Sequence, residues 1–105
     1  MDKNAVLAAL KLFRQALAVH GVAECRLFLY GSHARGNPRP DSDIDVVVVS
    51  NAFEGTSHWD RIVLLSDAIC ASNVLIEAVA MTPKEWEEGN SLIADFAREG
   101  QEVPA

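Results

Sequence analysis

The sequence predicts a compact α+β or α/β unit built around a small β-sheet, with all 105 residues in one domain. Three observations support this fold class. Short apolar runs typical of strands alternate with longer segments of helical periodicity. Half of the residues are hydrophobic, which argues against disorder. The chain shows neither an internal repeat nor a linker that would divide it. The predicted order is helix, strand, turn, strand, helix, strand, helix.

The first helix is predicted from Lys3 to about His20, where Gly21 favours a stop. Its apolar residues recur at steps of three and four, as expected for one face of an amphipathic helix: Val6, Leu10, Phe13 and Leu17. The segment Cys25–Tyr30 follows as a short, nearly continuous apolar run. Such a run is typical of a strand that is buried on both faces.

The segment from Gly31 to Asp41 contains two glycines, two prolines and two arginines, so we expect a loop or a short turn of helix. Four consecutive valines, Val46–Val49, then predict a central strand, because β-branched residues favour extended backbone. Ser57 caps a helix that runs to about Ala71, and a third strand follows from about Val74 to Met81. Thr82-Pro83 begins a helical tail that stops at Gly100.

Composition excludes several classes of protein. Fifteen acidic against nine basic residues give a net charge of -6, which argues against binding long nucleic acid through its phosphates. No apolar run approaches the roughly 18–20 residues of a membrane span, and Asp2 and Asn4 stand where a signal peptide is basic. Cys25 and Cys70 are too few for a disulfide framework and too far apart for a metal pair. We therefore expect a cytoplasmic protein.

Two carboxylates stand at the start of the valine strand. Residues two apart on a strand project to the same face, about 6–7 Å apart, so Asp43 and Asp45 point together. Two like charges at this distance repel each other, and a divalent cation would remove that cost. Carboxylate oxygens suit Mg²⁺, which usually also takes water and substrate phosphates. An Asp-x-Asp pair alone is weak evidence, because exposed acids at strand ends are common.

The loop that precedes these acids has the composition of a phosphate site. Gly31 directly follows a predicted strand and allows a tight turn, and Ser32 adds a hydroxyl and backbone N–H groups. Arg35 and Arg39 bring positive charge to the same loop. Cationic groups for phosphate beside paired acids for a metal predict a site for a nucleotide and Mg²⁺.

A third acid, Glu77, stands in the apolar segment from Val74 to Val79. A carboxylate on a buried strand is costly unless it has a partner. If this strand lies beside the Asp43–Asp45 strand, Glu77 joins the two aspartates on one face. The alternative is an acid on an edge strand that faces water.

These residues together resemble the minimal nucleotidyltransferases, the smallest members of the DNA polymerase beta-like superfamily. The signature of that family is Gly-Ser, ten residues and Asp-x-Asp, and Gly31-Ser32, residues 33–42 and Asp43-Ile44-Asp45 match it without a gap. The resemblance covers about Leu27 to Trp86, since the later strand and Thr-Pro segment also match. It implies a nucleotidyltransferase fold, a short mixed β-sheet with helices packed on one side.

The resemblance also implies a role for each residue of the motif. Gly31 and Ser32 would contact the triphosphate of ATP. Asp43, Asp45 and Glu77 would be the catalytic acids and would hold two Mg²⁺ ions. Relatives often carry aspartate at the third position, and Glu77 is one methylene longer.

The implied reaction transfers AMP from ATP to a hydroxyl group and releases pyrophosphate. Stand-alone members of this family commonly pair with a small all-helical HEPN-domain toxin, which implies an antitoxin that attaches AMP to a tyrosine of that partner. The pair could form a hetero-oligomer, or the chain a homo-oligomer. Two alternatives stay open: an antitoxin that acts by contact without catalysis, and a small-molecule nucleotidyltransferase of the aminoglycoside-modifying kind. We assign His33 no catalytic role and expect it to face solvent.

Overall fold

The computed structural model of the protein describes residues 2–34, 43–89 and 91–104. The described helices are α1 (Lys3–Val19), α2 (Gly31–Ala34), α3 (His58–Ser72), α4 (Pro83–Glu88) and α5 (Leu92–Arg98). The described strands are β1 (Arg26–Tyr30), β2 (Ile44–Val49), β3 (Ile76–Met81) and β4 (Gln101–Val103). A 3₁₀ turn, Asn51–Phe53, lies between β2 and α3. Every element predicted from the sequence is present, and β4 is an additional one.

The four strands form one mixed sheet in the order β3-β2-β1-β4. β1 runs antiparallel to both of its neighbours, β2 and β4, while β2 and β3 are parallel. The parallel pair is joined by α3, which provides the long crossover that parallel strands require. The four valines of the sequence lie in β2, which is a central strand as predicted.

One face of the sheet carries the main hydrophobic core. α1 and α3 pack together on this face, and three large apolar side chains of α1, Leu10, Phe13 and Leu17, are fully buried there. Alternate residues of β2 point into the same core: Ile44, Val46 and Val48. Because side chains of a strand alternate between faces, Asp43 and Asp45 belong to the opposite face.

The opposite face is covered in part by the shorter helices α4 and α5. The ring of Trp86 stacks on Phe28 with centroids 4.2 Å apart, and Ala94 and Ala97 pack beside them. The predicted α+β class and the short mixed sheet are confirmed. The expected one-sided arrangement describes α1 and α3, whereas α4 and α5 lie across the second face, because Phe28, Val47 and Val49 give that face an apolar surface as well.

Side-chain caps begin the two helices that precede and follow β3 in the chain, α3 and α4. Ser57 accepts a hydrogen bond from the backbone N–H of Asp60 at 3.1 Å and begins α3. Thr82 and Glu85 form a capping box at the start of α4, in which the Glu85 carboxylate accepts from the Thr82 N–H at 2.7 Å. Both caps confirm the helix starts predicted from the sequence, and a cap of this kind stabilises by about 0.5–2 kcal/mol.

The predicted helical tail is divided into two helices and a final strand. Gly89, with φ +63°, ends α4, and Ser91 caps α5. Gly100 then brings the chain against β1, since a Cβ there would lie 3.0 Å from the backbone carbon of Leu29. Among the described residues no helix is both long and apolar enough to cross a membrane.

Candidate active site

The structure brings the three predicted acids together on one face of the sheet. Asp43 immediately precedes β2, and Asp45 lies within it. Glu77 of β3 is the register partner of Asp45 in the parallel pair, just as Ile76 is the partner of Ile44. Ile44, between the two aspartates, is fully buried in the opposite core, which keeps both carboxylates on the second face. Glu77 is exposed, so the acid cluster is open to solvent on the β3 side.

The acids repel each other in the protein without a cation. A hydrogen bond with Asp45 is the largest cause that raises the pKa of Glu77, followed by the negative charges of Asp45 and Asp43. The Glu77 carboxyl group therefore lies close to both aspartates, and like charges in such proximity disfavour its ionised form. A divalent cation between the carboxylates would remove this repulsion.

The oxygen ligands that the protein itself offers fit Mg²⁺. Asp43, Asp45 and Glu77 offer hard oxygen ligands on one open face, as this ion prefers. In the described part of the chain, no three His, Cys, Asp or Glu side chains are already arranged as a metal cage. Mg²⁺ usually binds through one or two carboxylates plus water and phosphates.

Gly31 is the point where the phosphate motif meets the acids. Its φ of +74° lies in the left-handed region that favours glycine. A Cβ on this residue would lie 3.3 Å from Cγ of Asp45 and would clash with the Oδ2 atom. Gly31 is therefore packed directly against the second aspartate, and Ser32 follows it in the first turn of α2. Glycine is required here both for conformation and for space.

Tyr30 is a residue of the site that the motif did not indicate. It ends β1 and pairs with Asp45 in the antiparallel ladder, so Glu77, Asp45 and Tyr30 stand in a row across three strands. Burial is the main cause that raises the pKa of its hydroxyl, and the charges of Asp45 and Glu77 add to it. The sequence would have placed Tyr30 in this row only if β1 and β2 had been assumed to pair antiparallel.

The predicted position of His33 is wrong. We expected a solvent-facing histidine in a loop, but His33 is only 4% exposed and lies in α2. The helix begins at the residue that follows β1 and packs on both β1 and β2, which turns its third residue inward. His33 makes interactions in this position. The predicted phosphate ligands Arg35 and Arg39 lie outside the described residues.

The row of acids beside a glycine turn is typical of proteins that bind a nucleotide together with a divalent cation. The chain matches the family described as the nucleotidyltransferase domain over residues 10–103. It therefore belongs to the nucleotidyltransferase domain family, in which nucleotidyl transfer is the shared chemistry.

A solved structure supports the fold. The crystal structure of a candidate nucleotidyltransferase from Sulfolobus solfataricus is similar to the chain with a TM-score of 0.55 and 18% sequence identity. The alignment covers 84% of this chain and 82% of that one. At this identity the similarity shows a shared fold. A comparison with curated proteins finds no match.

Proposed function

We propose that the protein is a minimal nucleotidyltransferase that transfers AMP from ATP to a hydroxyl group. The observation that carries the proposal is the pairing of Asp45 with Glu77 on adjacent strands, with Asp43 on the same face and Gly31 packed against Asp45. A purely structural role does not require two aspartates placed where they raise the pKa of a neighbouring glutamate, Glu77. Their position in a nucleotidyltransferase domain supports a role in nucleotidyl transfer.

Each residue has a role in this proposal. Asp43 and Asp45 would hold the Mg²⁺ ions, with Glu77 completing the set. When bound, Mg²⁺ neutralises the triphosphate and lowers the pKa of the attacking hydroxyl. Gly31 and Ser32 are proposed to receive the triphosphate at the turn from β1 into α2, beside Asp45. Arg35 and Arg39 are proposed to add positive charge to the same end of the nucleotide.

The reaction is a displacement at the α-phosphorus. A bond forms between the acceptor oxygen and the α-phosphorus while the bond from that phosphorus to the bridging oxygen breaks, and pyrophosphate leaves. The hydroxyl proton passes to the Glu77 carboxylate and then to solvent. Glu77 suits this role because its carboxylate is exposed on the open side of the site.

The acceptor reaches the site from the β3 side. In the described residues β3 is an outer strand of the sheet, and Glu77 on it is the exposed member of the acid row. We propose that the acceptor is a tyrosine presented there by a small all-helical HEPN-domain protein, which the AMP group inactivates. The chain would then be the antitoxin of such a pair in the cytoplasm, as a hetero-oligomer with its target.

The proposal is tested by incubating the protein with the co-expressed partner, ATP and Mg²⁺, and measuring intact masses. We expect the partner to gain the mass of AMP, and a tyrosine in the modified peptide. The matched variants are Asp43→Ala/Asp45→Ala, which removes the metal ligands, and Asp67→Asn, which changes an exposed acid on α3.

Labelling that is unaffected by the double variant would remove these acids from the mechanism. Protection of cells by the double variant, at wild-type level, would instead favour an antitoxin that acts by contact. Transfer of AMP to an aminoglycoside-like small molecule, with no labelling of the protein partner, would support the third function.

A further inference from the structure

A cavity of about 390 Å³ lies between the end of β1, α2 and α5. This volume is within the range of roughly 300–1,000 Å³ that is usual for small-molecule sites. The residues that line it are Tyr30, Gly31, Ala34, Phe96, Glu99 and Gly100. Two of them, Tyr30 and Gly31, also adjoin the acid row through their contact or pairing with Asp45.

The cavity is on the far side of Tyr30 from β3, the side from which the acceptor is proposed to arrive. Across the sheet the order is Glu77, Asp45 and Tyr30, and Gly100 follows against the backbone of Tyr30 on the β4 side. The row formed by Glu77, Asp45 and Tyr30 therefore lies between the open β3 side and the cavity. A substrate that has its phosphates at Gly31 can extend into the cavity without crossing the path of the acceptor.

The lining of the cavity suits an uncharged, planar group. Tyr30 and Phe96 supply two aromatic rings, and the described lining residues include no cation. Glu99 contributes a carboxylate, which repels phosphate but accepts hydrogen bonds from amines and hydroxyls. A nucleoside has both properties, because its base stacks on aromatic rings and its amino and hydroxyl groups donate hydrogen bonds.

The packing of α5 also indicates that Phe96 has a function in binding. This helix buries only small side chains against the sheet, Ala94 and Ala97, while Phe96 is 54% exposed. An aromatic ring that lines a cavity and is about half exposed offers one face to a ligand.

From this arrangement we infer that the cavity holds the nucleoside of the donor nucleotide, with Phe96 as the stacking residue. The inference rests on the proposed function, because that function places the triphosphate at Gly31 and Ser32. Gly31 connects the cavity with the acids, since it lines the cavity and packs against Asp45. Tyr30 forms the wall between the nucleoside and the acids and positions the nucleotide without taking part in the transfer.

The test compares two probes, ATP and inorganic tripolyphosphate, each with Mg²⁺, by isothermal titration calorimetry. Phe96→Ala should weaken ATP binding about 5- to 150-fold, the range expected for the loss of one stacked base. Binding of tripolyphosphate should not change, because it has no nucleoside. Leu92→Ala is the matched control, as Leu92 is an apolar residue of α5 that is 69% exposed and does not line the cavity. Phe96→Tyr should retain wild-type affinity for ATP.

Unchanged ATP affinity in Phe96→Ala overturns the inference, as does an equal loss of affinity for both probes. If ATP affinity is unchanged while AMP transfer slows, the cavity holds the acceptor and the nucleoside assignment is wrong. The proposed function fails in a different way. If ATP binding depends on Phe96 but no AMP is transferred to any hydroxyl, the nucleoside site is supported and the proposed transferase function is refuted.

Discussion

Replacing Gly31 by alanine should damage the site more than the fold. The left-handed backbone of Gly31, with φ +74°, makes an added side chain strained, and the new Cβ would clash with the Asp45 carboxylate. Gly55 is a matched control because its φ is +76° and a Cβ there would have no heavy atom within 4 Å. The two substitutions therefore share the backbone cost and differ in the clash with Asp45.

The expected magnitudes follow from these two contributions. A left-handed conformation costs a residue with a Cβ about 1–2 kcal/mol, which applies to both variants. In Gly31→Ala the Asp45 side chain must also leave its rotamer, at about 0.5–1.5 kcal/mol. For a domain of about this size 1 kcal/mol shifts the melting temperature by roughly 4–8 °C. We therefore expect Gly31→Ala to melt about 2–12 °C below Gly55→Ala.

The assay is thermal unfolding in metal-free buffer, followed by ATP binding with Mg²⁺. Gly31→Ala should lose nucleotide binding, and Gly55→Ala should retain it. A double-mutant cycle adds the decisive comparison, because Asp45→Ala leaves only an ordinary 3.4 Å contact to the new Cβ. In that background Gly31→Ala should cost no more than Gly55→Ala. Equal stability of the two glycine variants in the wild-type background, with nucleotide binding intact, would refute the packing of Gly31 against Asp45.

Three further predictions concern charge, packing and pH. Asp45→Asn should stabilise the metal-free protein by about 0.2–1 kcal/mol in urea unfolding, since it removes a like charge opposite Glu77, yet it should abolish AMP transfer. Trp86→Ala should cost about 3–5 kcal/mol, because the ring is 8% exposed and fills the second face of the sheet. The Thr82 N–H holds the pKa of Glu85 below its usual 4.5, so the stability that Glu85 adds should be complete above pH 4.5 and lost as pH falls through the lowered pKa.

Each of these predictions has its own control. Asp67→Asn removes the same net charge from an exposed site on α3, so a gain as large as that of Asp45→Asn would point to overall charge. A cost below about 1 kcal/mol for Trp86→Ala would contradict the packing of the second face. For Glu85, the measurement is the stability difference between the wild type and Glu85→Gln from about pH 7 to about pH 3. A difference that does not shrink in acid would show that the capping carboxylate contributes no charge-dependent stability.

Much of the fold could be predicted because its elements have strong local signals. The three- and four-residue steps in α1 and the valines of β2 are periodic or continuous over several residues. α1 ends within one residue of its predicted end, and β2 begins at Ile44, two residues before the valines. β4 was missed because three residues, Gln101–Val103, are too few to show a period. Its position depends on the close approach of Gly100 to Leu29, which is a contact between distant parts of the chain.

The site was predictable where residues are near in sequence and less so where they meet through the sheet. Asp43 and Asp45 share a face by strand geometry alone. Glu77 required the additional condition that β3 lie beside β2, which the structure confirms. Tyr30 and the inward position of His33 depend on how β1 pairs and where α2 begins, and neither follows from a local pattern.

The division of the sheet into two faces explains how the protein can tolerate a repulsive acid row. Ile44, Val46 and Val48 are fully buried on the face that packs against α1 and α3, and burial of apolar area there is the main source of stability. The carboxylates project from the same strand to the other face, where Glu77 is exposed and water screens part of the repulsion. The cost of the site is therefore small relative to the core that supports it. For this reason variants of the acids should remain folded, and their loss of activity can be attributed to chemistry.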